Sequence, residues 1–183
     1  MKKLIAIATL ALAGSAMADS VTIENQNQRV VGGDENIKLY SLSVKKDFSA
    51  NLAGDVLFST TQGENTKTLG NRLEVGVTPS MPLVGGVSGY TRLALGNKYT
   101  NGADANYYSV EPGVKFPIAG NLSGSLGYRW RSATSVANND QTHTTRVGVA
   151  YNLTKVDAIG VRYDRVRGDN TQDNLALNYT RSF

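Results

Sequence analysis

Arg72, Arg92, Lys115, Arg129, Arg131, Arg146 and Arg162 recur through stretches that otherwise alternate apolar with small or polar residues, and the acids Asp55, Glu74, Glu111 and Asp164 stand among them. A guanidinium presents a planar fork of donors matched to carboxylates and phosphates, so seven bases against four acids favour anions wherever these side chains converge. Catalytic chemistry has far less to work with. The chain holds one histidine and no cysteine. His143 lies in NNDQTHTT with Asp140 nearby, but a histidine base needs a group that orients its ring, and no Ser, His and Asp set surrounds it. We read it as a solvated loop residue. There is no metal-ligand spacing, and Gly124, Gly127, Gly148 and Gly160 form no Gly-X-Gly-X-X-Gly run ahead of a helix. The chemistry expected is therefore charge recognition rather than catalysis, with no cofactor and no metal.

The elements that must carry these charges read as β-strands, because successive strand side chains point to opposite faces. Leu73, Val75 and Val77 alternate with Arg72, Glu74 and Gly76. Val110, Pro112, Val114 and Phe116 alternate with Glu111, Gly113 and Lys115. Leu122, Leu126, Tyr128 and Trp130 oppose Ser123, Ser125, Gly127, Arg129 and Arg131. Val147 to Leu153 and Ile159 to Tyr163 repeat the pattern around Arg146, Arg162 and Asp164, and it recurs near 37–47, 52–61 and 87–97. Between these stretches lie segments rich in Asn, Asp, Gly and Thr, the residues of turns. The longer ones, at Thr61–Thr68, Lys98–Asn106, Ala133–Thr142 and GDNTQDN, alternate along the chain with shorter ones. The charges fall in the middles of strands, and the apolar faces end in aromatics. A closed barrel in a bilayer has that outer band with aromatic girdles and a polar interior, since lipid offers no partner to unpaired backbone groups.

The two ends of the chain agree with this. MKKLIAIATLALAGSAMADS has a basic start, an apolar run too short to span a bilayer and small residues at Ala16 and Ala18, the parts of a signal peptide over residues 1–18. The expected mature domain is 19–183, where 17 bases face 15 acids, a balance too mild to suggest nucleic acid. The closing LALNYTRSF puts Leu175, Leu177, Tyr179 and Phe183 on one face. Nine segments follow residue 37, and termini on one side require an even number, so SVTIENQNQRV is read as a first strand with Val21 and Ile23 outward. The fold class is all-β: a transmembrane antiparallel up-and-down β-barrel of about ten strands, with eight as the alternative.

With its SAMA cleavage site and its final NLALNYTRSF, the chain resembles the Gram-negative outer-membrane β-barrel proteins. That resemblance implies export to the outer membrane, contact with its lipid, and delivery by the barrel assembly machinery, with Leu177, Tyr179 and Phe183 as the assembly signal. GYRWRS and GVRYDRVRG are loosely similar to the oligogalacturonate porins, small monomeric channels for acidic sugars. Some outer-membrane barrels are hydrolases, but the nearest formal match to a lipid A deacylase triad here is His143, Thr145 and Asp157, which has Thr in place of Ser and an acid expected at the opposite end of the barrel. The chain is read as a non-enzyme. The expected function is a small porin-like passive channel with a net-basic lumen that accepts small anionic solutes; the alternative is a non-conducting protein whose salt-bridged interior is a plug. Arg72, Glu74, Arg92, Glu111, Lys115, Arg129, Arg131, Arg146, Arg162 and Asp164 are the expected lumen-lining charges. Arg129 and Arg131 stand out because their strand carries no acid.

Overall fold

The computed structural model describes residues 18–33, 36–63, 69–100, 103–134, 141–168 and 171–183; the expected leader lies outside these apart from Ala18. Ten strands follow in order: β1 (Ser20–Val30), β2 (Asn36–Ser49), β3 (Leu52–Gly63), β4 (Leu69–Pro82), β5 (Ser88–Thr100), β6 (Ala103–Ala119), β7 (Leu122–Ala133), β8 (Gln141–Asn152), β9 (Asp157–Arg167) and β10 (Gln172–Ser182). Each pairs antiparallel with its chain neighbours, and β1 pairs with β10 from Ser20↔Ser182 to Val30↔Gln172, which closes the sheet. Closure removes the two edges that an open sheet would leave with unpaired N–H and C=O groups. The strand count is ten, so the eight-stranded alternative falls. β1 shows the weakest alternation, and it is held on both sides by backbone ladders to β10 and β2.

Both termini lie at one end of the barrel, beside the short connections at 50–51, 83–87, 120–121 and 153–156. The 83–87 connection turns through Gly85 and Gly86 at φ 73° and 77°, left-handed values that glycine adopts without a Cβ clash. At this end the Phe183 N–H donates to the Asp19 carbonyl at 3.0 Å, and the Asp19 N–H donates to the Lys45 carbonyl at 2.9 Å. The first residue after the expected cleavage point thus ties the last residue to β2.

Strands of 11 to 17 residues reach or exceed the roughly 9–11 that cross a bilayer. They run into stretches whose polar composition reads as loop. Most of the expected Lys98–Asn106 loop is strand, through Thr100 and again from Ala103. The expected loop residue His143 sits inside β8. Turn-rich composition therefore marks the barrel's rim rather than the end of its hydrogen bonding.

Burial is inverted relative to a water-soluble protein. Leu95, Leu177 and Val75 are 68%, 61% and 57% exposed, whereas Glu74 is fully buried and Asp164, Asn174, Gln26 and Arg129 nearly so. A band of exposed large apolar side chains this continuous is a surface made for another apolar phase.

Candidate functional site: the charged lumen

Each of the ten expected charges projects inward, because the two-residue period of its strand sets it on the face opposite the outward apolar positions. Nine of them line a cavity of about 1180 Å³, and the tenth, Glu111, is buried beside it against Arg146. The cavity lining reaches from Ser20, Lys45 and Ser88 near the termini to Gln28, Gly63 and Lys98 toward the opposite end. Two chains of ion pairs cross this space.

The first is centred on Glu74 of β4. Its carboxylate meets Arg129 of β7, accepts from Arg92 Nη1 at 3.0 Å and from the Tyr107 hydroxyl at 2.9 Å, and has Arg72 Nε at 3.8 Å. Arg92 is in turn held by Asp55, with Nε 3.0 Å from Oδ1 and Nη2 2.6 Å from Oδ2. The forked contact fixes the guanidinium plane, leaving Nη1 for Glu74. A second chain runs from Glu111 through Arg146 at 2.5 Å, then Asp164 at 3.7 Å, Arg162 at 2.9 Å and Glu24 of β1 at 2.7 Å. Gln26 Nε2 adds a hydrogen bond to Asp164 at 3.3 Å. Burying charges this deeply is tolerable only when each has a partner, and the alternation of sign along both chains provides one.

Arg129 does not act as the strand reading suggests. Its own strand carries no acid, yet β4 places Glu74 against it across the interior, so its charge is locally matched. Arg131 stacks its guanidinium over the Tyr107 ring at 5.2 Å. Lys115 lies 5.6 Å from the Tyr90 ring centroid. The inward glycines also differ from a simple provision of open space. A Cβ at Gly96 would fall within the Tyr107 ring, and one at Gly76 would meet Asp55 and Arg92. These glycines make room for larger inward side chains.

Glu24, Lys45, Asp47, Lys98, Tyr90 and Tyr107 face the interior and were not among the expected lumen residues. Glu24 was legible, because placing Ile23 outward on β1 sends Glu24 inward. With Lys45 and Lys98 added to the seven bases, and Glu24 and Asp47 to the four acids, nine inward bases face six inward acids among the described residues, and the basic surplus of three is unchanged. The Nε atoms of Arg72, Arg129 and Arg146 are buried there with no hydrogen-bond acceptor from the protein.

His143 and Thr145 face outward. His143 Nδ1 is 2.6 Å from the Tyr128 hydroxyl, and Asp157 lies at the other end of β9, bonded to Tyr179 and Arg181. The three cannot meet around one substrate atom. On the outside, Tyr108 and Trp130 pack edge to face at 5.2 Å toward one end, and Tyr151, Tyr179 and Phe183 are exposed toward the other. Leu177, Tyr179 and Phe183 are exposed on β10 and just beyond it.

No family model matches the chain, and no curated protein matches it. Solved structures do. The translocator domain of the autotransporter NalP from Neisseria meningitidis is 8% identical, with 100% of this chain and 94% of that one covered and a TM-score of 0.56. The NanC porin is 8% identical over 89% of this chain and 100% of that one, with a TM-score of 0.53. A loop-deletion mutant of OmpT, an outer membrane protein of Vibrio cholerae, is 12% identical with a TM-score of 0.46; 86% of this chain is covered, but the match spans 62% of the other protein's length. The ten-stranded closed barrel and its likeness to the first two give this chain the fold of the outer-membrane β-barrel proteins.

Proposed function

We propose that this protein is an exported outer-membrane barrel that passes small anionic solutes through a narrow, net-basic lumen. The observation that carries the reading is the cavity whose lining reaches toward both ends, faced by nine bases and six acids among the described residues. Fixed cations in a confined space concentrate anions and repel cations, and the guanidinium fork is matched to carboxylate or phosphate groups. The inverted burial supports a lipid environment, and the outward Leu177, Tyr179 and Phe183 on the closing strand support recognition by the barrel assembly machinery. The porin among the similar folds is compatible with conduction. Purified protein in a planar bilayer under a salt gradient should conduct with a reversal potential on the anion side. An Arg131→Gln, Lys115→Gln double variant should move it toward zero.

A second reading has its own observation: two chains of ion pairs cross the interior. Small barrels near eight strands have interiors just filled by side chains, and ten is close to that limit. Absence of conductance in a bilayer with demonstrably inserted protein would establish the plug.

A further inference from the structure

Two outward prolines interrupt the barrel wall along one row across the strands. The β4–β5 ladder passes from Val77↔Leu93 to Ser80↔Tyr90, omitting the pairs between, where Pro79 stands opposite Thr91. The β6–β7 ladder passes from Val110↔Trp130 to Gly113↔Gly127, omitting the pairs where Pro112 stands opposite Tyr128. Proline has no N–H to donate, so each gap has a local cause. Thr91 and Pro112 are themselves partners, which puts the two gaps on either side of the same β5–β6 pair.

Outside, this row forms a groove of about 650 Å³ walled by Pro79, Met81, Pro112, Val114, Leu126 and Tyr128. Tyr90 points inward by its register and lines the lumen cavity, yet it also lines the outer groove. The hydroxyl end of its ring lies against Gly113 and Gly127, so close that neither position has room for a Cβ without displacing it. Tyr90 therefore borders both spaces, with the hydroxyl end of its ring behind two glycines that line the groove. Lys115 places its ammonium 5.6 Å from the centre of that ring.

We propose that Tyr90 is a side door between lipid and lumen: the outer groove seats the alkyl chain of a single-chain anionic amphiphile, and rotation of the ring admits its head group to the basic interior at Lys115. The apolar lining and the lipid-facing position select an alkyl chain, and the cation behind the ring selects a negative head group. The proposal rests on the membrane-spanning reading but not on conduction. A protein whose ends are plugged could still open sideways.

The test uses the single tryptophan. In a Tyr90→Trp, Trp130→Phe variant reconstituted in phosphatidylcholine vesicles, 12-bromododecanoate should quench the tryptophan saturably, and acrylamide should quench it from the lumen side. Adding Lys115→Gln should raise the half-saturating bromododecanoate concentration several-fold. Pro112→Ala, which restores a donor to the β6–β7 ladder, should reduce quenching by the brominated chain and leave quenching by acrylamide in place. Quenching by acrylamide alone, or a non-saturating response no greater than that of native Trp130, overturns the door. Should the tryptophan variant fail to show the heat-dependent migration of a folded barrel, a bimane on Thr91→Cys carries the same titration, since the chain has no other cysteine. Native Trp130 in vesicles of dibrominated phosphatidylcholine reports insertion separately; its failure to quench overturns the membrane reading and the door with it.

Discussion

Glu74 is the side chain on which the interior depends most. It is fully buried and touches Arg129, Arg92 and Tyr107. Replacing it by glutamine keeps the volume and removes the charge, leaving guanidinium groups packed together without their shared counter-ion. Removing one partner of a buried ion pair costs about 3–5 kcal/mol. Glu74→Gln should lower the urea midpoint of the refolded barrel in detergent accordingly, and an unchanged midpoint would mean that water screens the cluster. At the rim, Asp19 is a different case. A hydrogen bond from Lys46 Nζ at 2.9 Å, and then one from the Asp47 N–H at 2.6 Å, hold its carboxyl below the ordinary aspartate value although it is exposed. A depressed folded value means the contact stabilises above the unfolded pKa and is lost as pH falls through the folded one. The Asp47 amide should therefore keep its hydrogen-exchange protection down through the ordinary aspartate range and lose it only at lower pH, and Asp19→Asn should abolish that pH dependence.

At the scale of the strand, interior volume is shared between neighbours. Gly96 on β5 and Tyr107 on β6 are paired, and the ring occupies the space a Cβ at 96 would take, which lets the hydroxyl reach Glu74. Gly96→Ala should destabilise by about 1–3 kcal/mol through overpacking. In a Tyr107→Ala background the same substitution should cost much less, because the clash is gone. A double-mutant cycle by urea denaturation measures the coupling, and additive effects would show that the backbone rather than the ring sets the limit. Alternation located these strands, but their lengths were legible only in part. Lys98–Thr100, Ala103–Asn106 and His143 read as loop from composition and are strand, since beyond the apolar band a strand may carry any polar residue on either face and the period-two signal fades.

For the whole molecule, closure is the β1–β10 ladder, and the even strand count puts both termini at one end, expected to be the periplasmic one. In intact cells an epitope placed in the 120–121 turn should be protected, whereas one placed within 135–140, which joins strands at the opposite end, should be accessible to antibody. The reverse pattern would show that the barrel sits the other way up. Boiled and unboiled samples should migrate differently on gels, with a β-dominated circular dichroism spectrum in detergent.

The sequence by itself determined the class, an even number of strands with ten favoured over eight, and the direction of nearly every interior charge. In a barrel these follow from local rules: a period of two fixes the face, and the shared side of the termini fixes parity. Even Glu24 was within reach of the same rule. It could not determine which charges meet. Arg129 finds Glu74 because the curved sheet brings β7 and β4, three strands apart, together over the interior, 55 residues apart in the chain; Glu24 finds Arg162 only because β1 closes onto β10, which alone separates it from β9. Nor could it show that Gly96 and Gly113 are filled by tyrosines from the adjoining strand, or that Pro79 and Pro112 fall in one row with Tyr90 behind them. Those are consequences of register and curvature, which set distances between residues remote in sequence, and only the closed sheet contains them.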